Sequence, residues 1–382
     1  MQSHVRDGSA FAGSLLLDQA DDSYSFGLKG EIMLYKSKNP HGGDIYEGGV
    51  RLDYSANTNP MGTPEKVVEA AADSLKYADR YPDPYARELI RSIAAFHGLP
   101  EDYVLAGAGA AEMIYLYCQA GKFGKAMIVS PTFAEYELGL RAAGDTEIIY
   151  HIVSSNDDFS FTSAITFGIL KHEPDVVFIC NPNNPSGKLA DPALIKEIIG
   201  VSKKAGVKVF LDECFIDLAE GESMTWFLNE HPNLTILRAF TKTYGMAGLR
   251  LGYVLSSDGE LLKEMSKCVQ PWNISTPAQA AGVQALKEED FLKESIALIK
   301  RERRYLTDGL RELGLRVIDS DVNFLLFKGP ENLGEKMKEE GILIRDCSNY
   351  TGLGPGWYRI AVRLHEENEE LLRTVREVLG KE

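Results

Sequence analysis

Lys242 stands between two threonines in "TKTYGMAGLRLG", and Arg250 closes the same stretch eight residues on. A lysine that is partly desolvated and set beside another cation has a lowered pKa and reacts with carbonyl carbons. Arg250 supplies that positive field and is suited to pairing with a phosphate. Thr241 offers the same anion a hydroxyl. Asp212 ends the apolar run "VKVFL" and so projects from a buried strand end. Two readings of it stand: a helix cap or structural ion pair, or a carboxylate kept ionised to hold a proton on a heterocyclic nitrogen. Set near Lys242, the second reading has the chemistry of pyridoxal phosphate, whose pyridinium nitrogen needs an acidic partner.

Two further stretches carry defined backbone. In "NPNNPSG" (181–187) the Asn-Pro repeats impose a non-helical turn at a strand end. Asn184 is then either a fixed amide able to bond a phenolic oxygen or part of a purely structural turn. In "LAGAGAAEMIYLY" (105–117) a G-x-G occurs, but Glu112 follows and the third glycine of a dinucleotide fingerprint is missing. Free amides at Gly109, Ala110 and Ala111 suit one phosphate at a helix N-terminus. Close packing of the helix on a sheet explains the small residues equally.

These residues need a frame. Apolar runs at 125–131, 175–182, 207–213, 234–240 and 252–257 read as buried parallel strands. The stretch 191–206 between two of them is helical, opening at an Asp cap and ending at Gly. Alternation of strand and helix predicts an α/β fold, a mainly parallel sheet sandwiched by helices. Ligands in such sheets sit beyond the carboxyl ends of the strands, which selects 181–187, Asp212, Thr241 and Lys242. After about residue 275 a long charged helical stretch precedes short strand-like pieces, "VNFLLFKG", "ILIRDC" and "WYRIAVR", a smaller α+β domain. The expected division is an N-terminal arm over 1–40, a large domain over 63–275, and a small domain from 41–62 with 276–382. "QPWNISTPAQA" (270–280) serves as linker.

Composition narrows the classes. The net charge of −15 argues against nucleic acid or an anionic membrane as partner. No apolar run approaches the roughly 20 residues of a membrane span. The N-terminal "AFAGSLLL" has neither a basic start nor an A-x-A-like cleavage site, so no signal peptide is expected. Five scattered cysteines with no C-x-x-C pair fit reduced thiols and a cytoplasmic location. The seven histidines show no ligand spacing, so no metal site is expected.

Taken as a set, "NPNNPSG", "DE" at 212–213 and "TKTYGMAGLRLG" resemble the fold-type I pyridoxal-phosphate family, the aspartate aminotransferase superfamily, over roughly residues 40–380. The resemblance implies that Lys242 carries the cofactor covalently, Asp212 pairs with the pyridine nitrogen and Asn184 bonds the ring hydroxyl. It implies that Phe133, in "SPTFAEY", stacks on the ring. Tyr81, in "RYPDPYARELI", matches a tyrosine reaching the cofactor phosphate of the other subunit, which implies a homodimer with shared active sites. Arg359 matches the residue that binds the substrate α-carboxylate, assisted by Arg345. His41 and Asn57, with Asn184, fall on the substrate side; Arg363 is an additional charge near the same strand. Gly245 and Gly248 fit a tight turn after Lys242. "GAGAAE" departs from the family in lacking the usual polar side chains, which leaves the phosphate to backbone amides.

Two branches of the family compete. "HGGD" (41–44), "LDYSANTNPMG" (52–62), "DECFID" (212–217) and "ILIRDCSNYTGLGPGWYRIAVR" (342–363) are similar to threonine-phosphate decarboxylases of the cobalamin side-chain pathway. Phe215 stands where aminotransferases of the family usually carry a tyrosine. That branch implies decarboxylation of L-threonine O-3-phosphate, a small phosphorylated amino acid, to 1-amino-2-propanol O-2-phosphate and CO2. The alternative is an aminotransferase of the histidinol-phosphate type. A non-catalytic module that keeps the pocket is disfavoured by the intact Lys, Asp, Asn and Arg set.

Overall fold

The five apolar runs become strands that are covered on both faces. In Lys125–Ser130, Met127 and Val129 enter one apolar cluster while Ala126 and Ile128 enter another. The first cluster is completed by helices Arg87–His97, Ala164–His172 and Pro192–Ala205, and the second by Ala110–Gly121, Glu135–Ala143 and Gly259–Cys268. A strand buried on both sides has no polar face, which is why these runs read as continuous rather than alternating. The computed structural model describes residues 41–46 and 48–381, within one compact unit, Pro40–Glu382. The arm expected over 1–40 lies outside the described residues.

Seven strands form the central sheet, in the order Val104–Gly107, Gly252–Ser256, Leu234–Ala239, Lys208–Asp212, Val176–Cys180, Lys125–Ser130, Glu147–Ile152. The last five run parallel. Gly252–Ser256 corrects one expectation: it pairs antiparallel with both neighbours. Its apolar run gave no sign of this, because burial on both faces writes the same pattern whichever way a strand points. The helix expected at 191–206 spans Pro192–Ala205, with the Asp191 side chain accepting from Ala193 N and Gly206 closing it at φ 73°.

A second sheet is antiparallel, in the order Arg345–Asp346, Trp357–Ala361, Phe324–Lys328, Arg316–Val317. Helices Glu289–Glu312 and His365–Val378 pack on it through Leu306, Leu310, Leu371 and Val375. Leu52–Asp53 pairs in parallel with Ile342–Leu343, which brings the N-terminal described segment against the C-terminal strands. The stretch expected as a linker at 270–280 is half helical: Ser275 caps a helix that begins at Thr276. The proline there sits in the first helical turn, where its missing N–H costs nothing. Among the described residues no helix is long and apolar enough to cross a membrane.

Candidate active site

Three adjacent parallel strands deliver the reactive groups at their carboxyl ends. Val176–Cys180 runs out into the 181–187 turn, Lys208–Asp212 ends on Asp212, and Leu234–Ala239 continues into the short helix Phe240–Thr243 that carries Lys242. The cleft between these ends and the second sheet brings together Lys242, Asp212, Asn184, Thr241, Arg250, Ala110, Ala111, Phe133, Arg345, Arg359, His41 and Asn57. Gly109 adjoins it through Arg250. Tyr81 does not line the cleft of its own chain; it is 77% exposed and stacks on Trp272 at 4.3 Å between ring centroids.

Lys242 Nζ donates to Asn57 Oδ1 at 3.2 Å. Burial brings its pKa down from 10.5 to about 8, helped by the charges of Arg359 and Arg250 and opposed by Cys214 and Asp212. A substantial neutral fraction at physiological pH is what a nucleophilic amine requires. Phe215 walls the cleft beneath this amine, its ring centroid 5.8 Å from Nζ and 5.1 Å from Phe324.

Asp212 is 6% exposed. Its Oδ2 accepts from Tyr136 Oη at 2.6 Å and its Oδ1 from Cys214 N at 2.9 Å. Burial pushes the carboxyl up, while these two hydrogen bonds and Lys242 hold it down. Tyr136 is the functional residue the sequence reading missed. It lies in the first turn of Glu135–Ala143, three residues after Phe133, and closes the quoted "SPTFAEY". The signal was a buried phenol on the helix that follows a strand end.

At the other end of the cleft, Gly109 caps helix Ala110–Gly121 at φ 102°. A Cβ on Gly109 would lie 2.7 Å from Arg250 Nη2, so this glycine lets the guanidinium approach the helix N-terminus. The first amides of the helix have no intrahelical partner, and Ala110 and Ala111 line the same cleft as Arg250. Arg250 itself takes φ 57°, as does Gly245 at 63°, whose Cβ would meet Gly62 O at 2.5 Å. Gly248 has no such requirement: φ is not positive and nothing lies within 4 Å.

Arg345 and Arg359 are register partners on adjacent antiparallel strands. Arg359 is 5% exposed, with Nη1 donating to Asn184 Oδ1 at 2.5 Å and Nη2 to Ser55 O at 2.8 Å. Arg345 Nη2 donates to Asn349 Oδ1 at 2.7 Å, and Nη1 to Asp346 O. Arg363 is a structural pair: Nη2 meets Glu367 Oε1 at 2.8 Å and Nη1 donates to Asp53 O at 3.3 Å. His41 Nε2 meets Glu135 Oε1, and its ring lies 5.2 Å from that of Phe133.

The chain matches the family described as aminotransferase class I and II over residues 51–375. The chain belongs to that family. Pyridoxal 5′-phosphate is its cofactor. Threonine-phosphate decarboxylase of Salmonella typhimurium (strain LT2) is 35% identical over 354 residues, 89% of this chain and 96% of that protein. Histidinol-phosphate aminotransferase of Caldanaerobacter subterraneus subsp. tengcongensis is 32% identical over 333 residues, 85% of this chain and 92% of that one. The crystal structure of the histidinol-phosphate aminotransferase from Clostridium acetobutylicum superposes with a TM-score of 0.80 at 29% identity, covering 86% of this chain and 99% of that chain.

The cleft fits the cofactor on its own terms. Asp212 is the only carboxylate among the lining residues, set against Lys242, Arg250, Arg345 and Arg359. On a chain of net charge −15 this is a local cationic site with one buried anion, suited to a ligand with a phosphate and a protonated ring nitrogen. Two buried groups of lining residues, Asn57 Nδ2 and Arg359 Nε, have no hydrogen-bond partner among the described residues. Buried donors are almost always satisfied, so these two suit a bound group.

Proposed function

We propose that the protein is a decarboxylase of a phosphorylated amino acid, taking L-threonine O-3-phosphate to 1-amino-2-propanol O-2-phosphate and CO2. The observation that carries this reading is the 35% identity to a threonine-phosphate decarboxylase over 96% of that protein. The register pairing of Arg345 with Arg359 in the cleft wall is compatible with it, because two guanidinium groups suit a substrate with two anionic groups, a carboxylate and a phosphate. The second reading is an aminotransferase of the histidinol-phosphate type, supported by the relative of that name at 32% identity. Histidinol phosphate carries one anionic group, but the keto acid of that reaction brings two carboxylates to the same arginines.

In this reading Lys242 is the covalent anchor. Asp212 holds a proton on the ring nitrogen, Asn184 bonds the ring hydroxyl and Phe133 stacks on the ring. The amides at Gly109, Ala110 and Ala111, with Thr241 and Arg250, hold the phosphate. Tyr81 serves the phosphate of a second copy, so the enzyme is a homodimer with shared sites, and the scattered cysteines suit a cytoplasmic location. When bound, pyridoxal phosphate supplies an electron sink conjugated to the substrate amine. Arg359 would grip the α-carboxylate as a fork, with Arg345 assisting at the substrate anions. Where the α-carboxylate leaves as CO2, a proton would have to be delivered to the α-carbon in its place; where the α-hydrogen leaves instead, as in transamination, Lys242 Nζ would take it up.

The test is direct. The holoenzyme is incubated with L-threonine O-3-phosphate and, separately, with histidinol phosphate plus 2-oxoglutarate. Stoichiometric CO2 without glutamate is expected; glutamate without CO2 overturns the decarboxylase reading.

A further inference from the structure

Residues 55–63 cross the cleft and are stitched to both of its walls. Toward the Lys242 side, Asn59 Nδ2 donates to Thr243 O at 2.8 Å, and Thr63 Oγ1 donates to Gly245 O at 2.9 Å. Toward the C-terminal strands, Asn323 Nδ2 donates to Asn57 O at 3.1 Å and to Thr58 O at 2.9 Å. Ser55 O takes Arg359 Nη2 at 2.8 Å. Asn57 sits at the middle of this strap, 3% exposed, with its backbone fixed and its side chain in the cleft. Its Oδ1 lies 3.2 Å from Lys242 Nζ.

We propose that Asn57 positions the Lys242 amine, its carboxamide oxygen holding Nζ in one orientation whenever the amine is free. The sequence placed Asn57 on the substrate side of the cleft; the contact of its Oδ1 adds a role toward the lysine. Arg359, Arg250, Asp212 and Cys214 act on the amine through charge. Asn57 Oδ1 is a neutral acceptor in hydrogen-bond contact with it. A neutral oxygen takes one N–H and so restricts the directions open to the nitrogen lone pair, without the charge by which a carboxylate would keep the amine protonated. An amine that moves a proton at the substrate α-carbon needs that restriction. This rests on the reading of Lys242 as covalent anchor.

The experiment measures the free amine in the full-length chain stripped of cofactor. Acetylation of Lys242 by acetic anhydride is followed against pH by peptide mass spectrometry in wild type, Asn57→Ala and Asn57→Asp. A protonated amine donates to a carbonyl more strongly than a neutral one, so its loss in Asn57→Ala moves the midpoint down. The carboxylate in Asn57→Asp moves it up. At pH 7 the acetylation rate is expected to rise about threefold or more in the first and fall by as much in the second. Opposite shifts mark direct contact, because a merely structural role does not reverse sign with the charge of the replacement. Asn323→Ala, which removes the backbone tethers of Asn57 and leaves the amine untouched, is expected to reproduce the downward shift in part, and it replaces Asn57→Ala if that variant does not fold. Midpoints unchanged, or moved in the same direction in both Asn57 variants, overturn the proposal. Borohydride trapping of the loaded enzyme separates the two failures: with Lys242 still the trapped residue, only the Asn57 role falls, whereas trapping at another lysine removes the anchor reading itself.

Discussion

Arg359 and Asn184 meet across the cleft: Nη1 of the arginine donates to Oδ1 of the amide at 2.5 Å. The contact joins the second sheet to the turn at the end of Val176–Cys180, and Arg359 Nε has no partner among the described residues. A planar fork, already held in place by Asn184 and Ser55, loses little further freedom when it takes a carboxylate.

Replacing that fork by a point charge tests it. Arg359→Lys keeps the charge and loses the bidentate geometry. The expected loss is about 3 kcal/mol in transition-state binding, roughly a hundredfold in kcat/KM. Steady-state kinetics with the amino acid substrate check this, and the visible absorbance of the bound cofactor is expected to stay as in wild type.

Tyr136 tests the electrostatics of Asp212. Its hydrogen bond lowers the carboxyl pKa against the upward push of burial. In Tyr136→Phe the ring stack on Phe178, 5.5 Å between centroids, is retained and only the donor is lost. The carboxyl then protonates at higher pH and the ring nitrogen loses its ionic partner. The acid limb of kcat against pH is expected to move up. Steady-state kcat measured against pH checks the direction of that shift, and an acid limb left where wild type has it would show that Tyr136 does not tune the carboxyl.

Lys242 carries a stability cost whose sign follows from linkage. Its pKa lies at about 8 in the fold and at 10.5 in a solvated chain. Between those values the unfolded chain binds more protons, so stability rises with pH across that window. Below about 8 the full cost of a buried ammonium is present. Lys242→Met is therefore expected to be more stable than wild type, both without cofactor, on the order of 2 kcal/mol at pH 7. The gap in Tm closes as pH approaches 10.5. Thermal unfolding followed by circular dichroism at several pH values checks it, and the variant is also expected to show no borohydride-trapped peptide at position 242.

The parts of the site set by a strand end and its next few residues were legible in the sequence. Asp212, Asn184 and Lys242 each follow an apolar run, and the rule that ligands sit at carboxyl ends of strands finds them. Contacts made across the chain were not. The Tyr136 bond to Asp212 spans 76 positions and the Asn57 bond to Lys242 spans 185. Nothing in local pattern selects such pairs, because they depend on where two elements pack. The antiparallel course of Gly252–Ser256 was hidden for another reason. Parallel and antiparallel strands buried on both faces carry the same residues, and only the register shows which it is.

Gly109 gives a test of the phosphate corner that leaves the reacting groups alone. Its φ of 102° is strained for any residue with a Cβ, and that carbon would lie 2.7 Å from Arg250 Nη2. Gly109→Ala must therefore either displace the guanidinium or turn the first amides of helix Ala110–Gly121. Both changes weaken a phosphate held between them, while Lys242, Asp212 and Arg359 keep their places. The dissociation constant for pyridoxal phosphate, measured by equilibrium titration, is expected to rise about tenfold or more, a loss of about 1.4 kcal/mol. At saturating cofactor, KM for the amino acid is expected to stay within about twofold of wild type. A variant that binds the cofactor as tightly as wild type would show that the phosphate does not sit at this helix terminus.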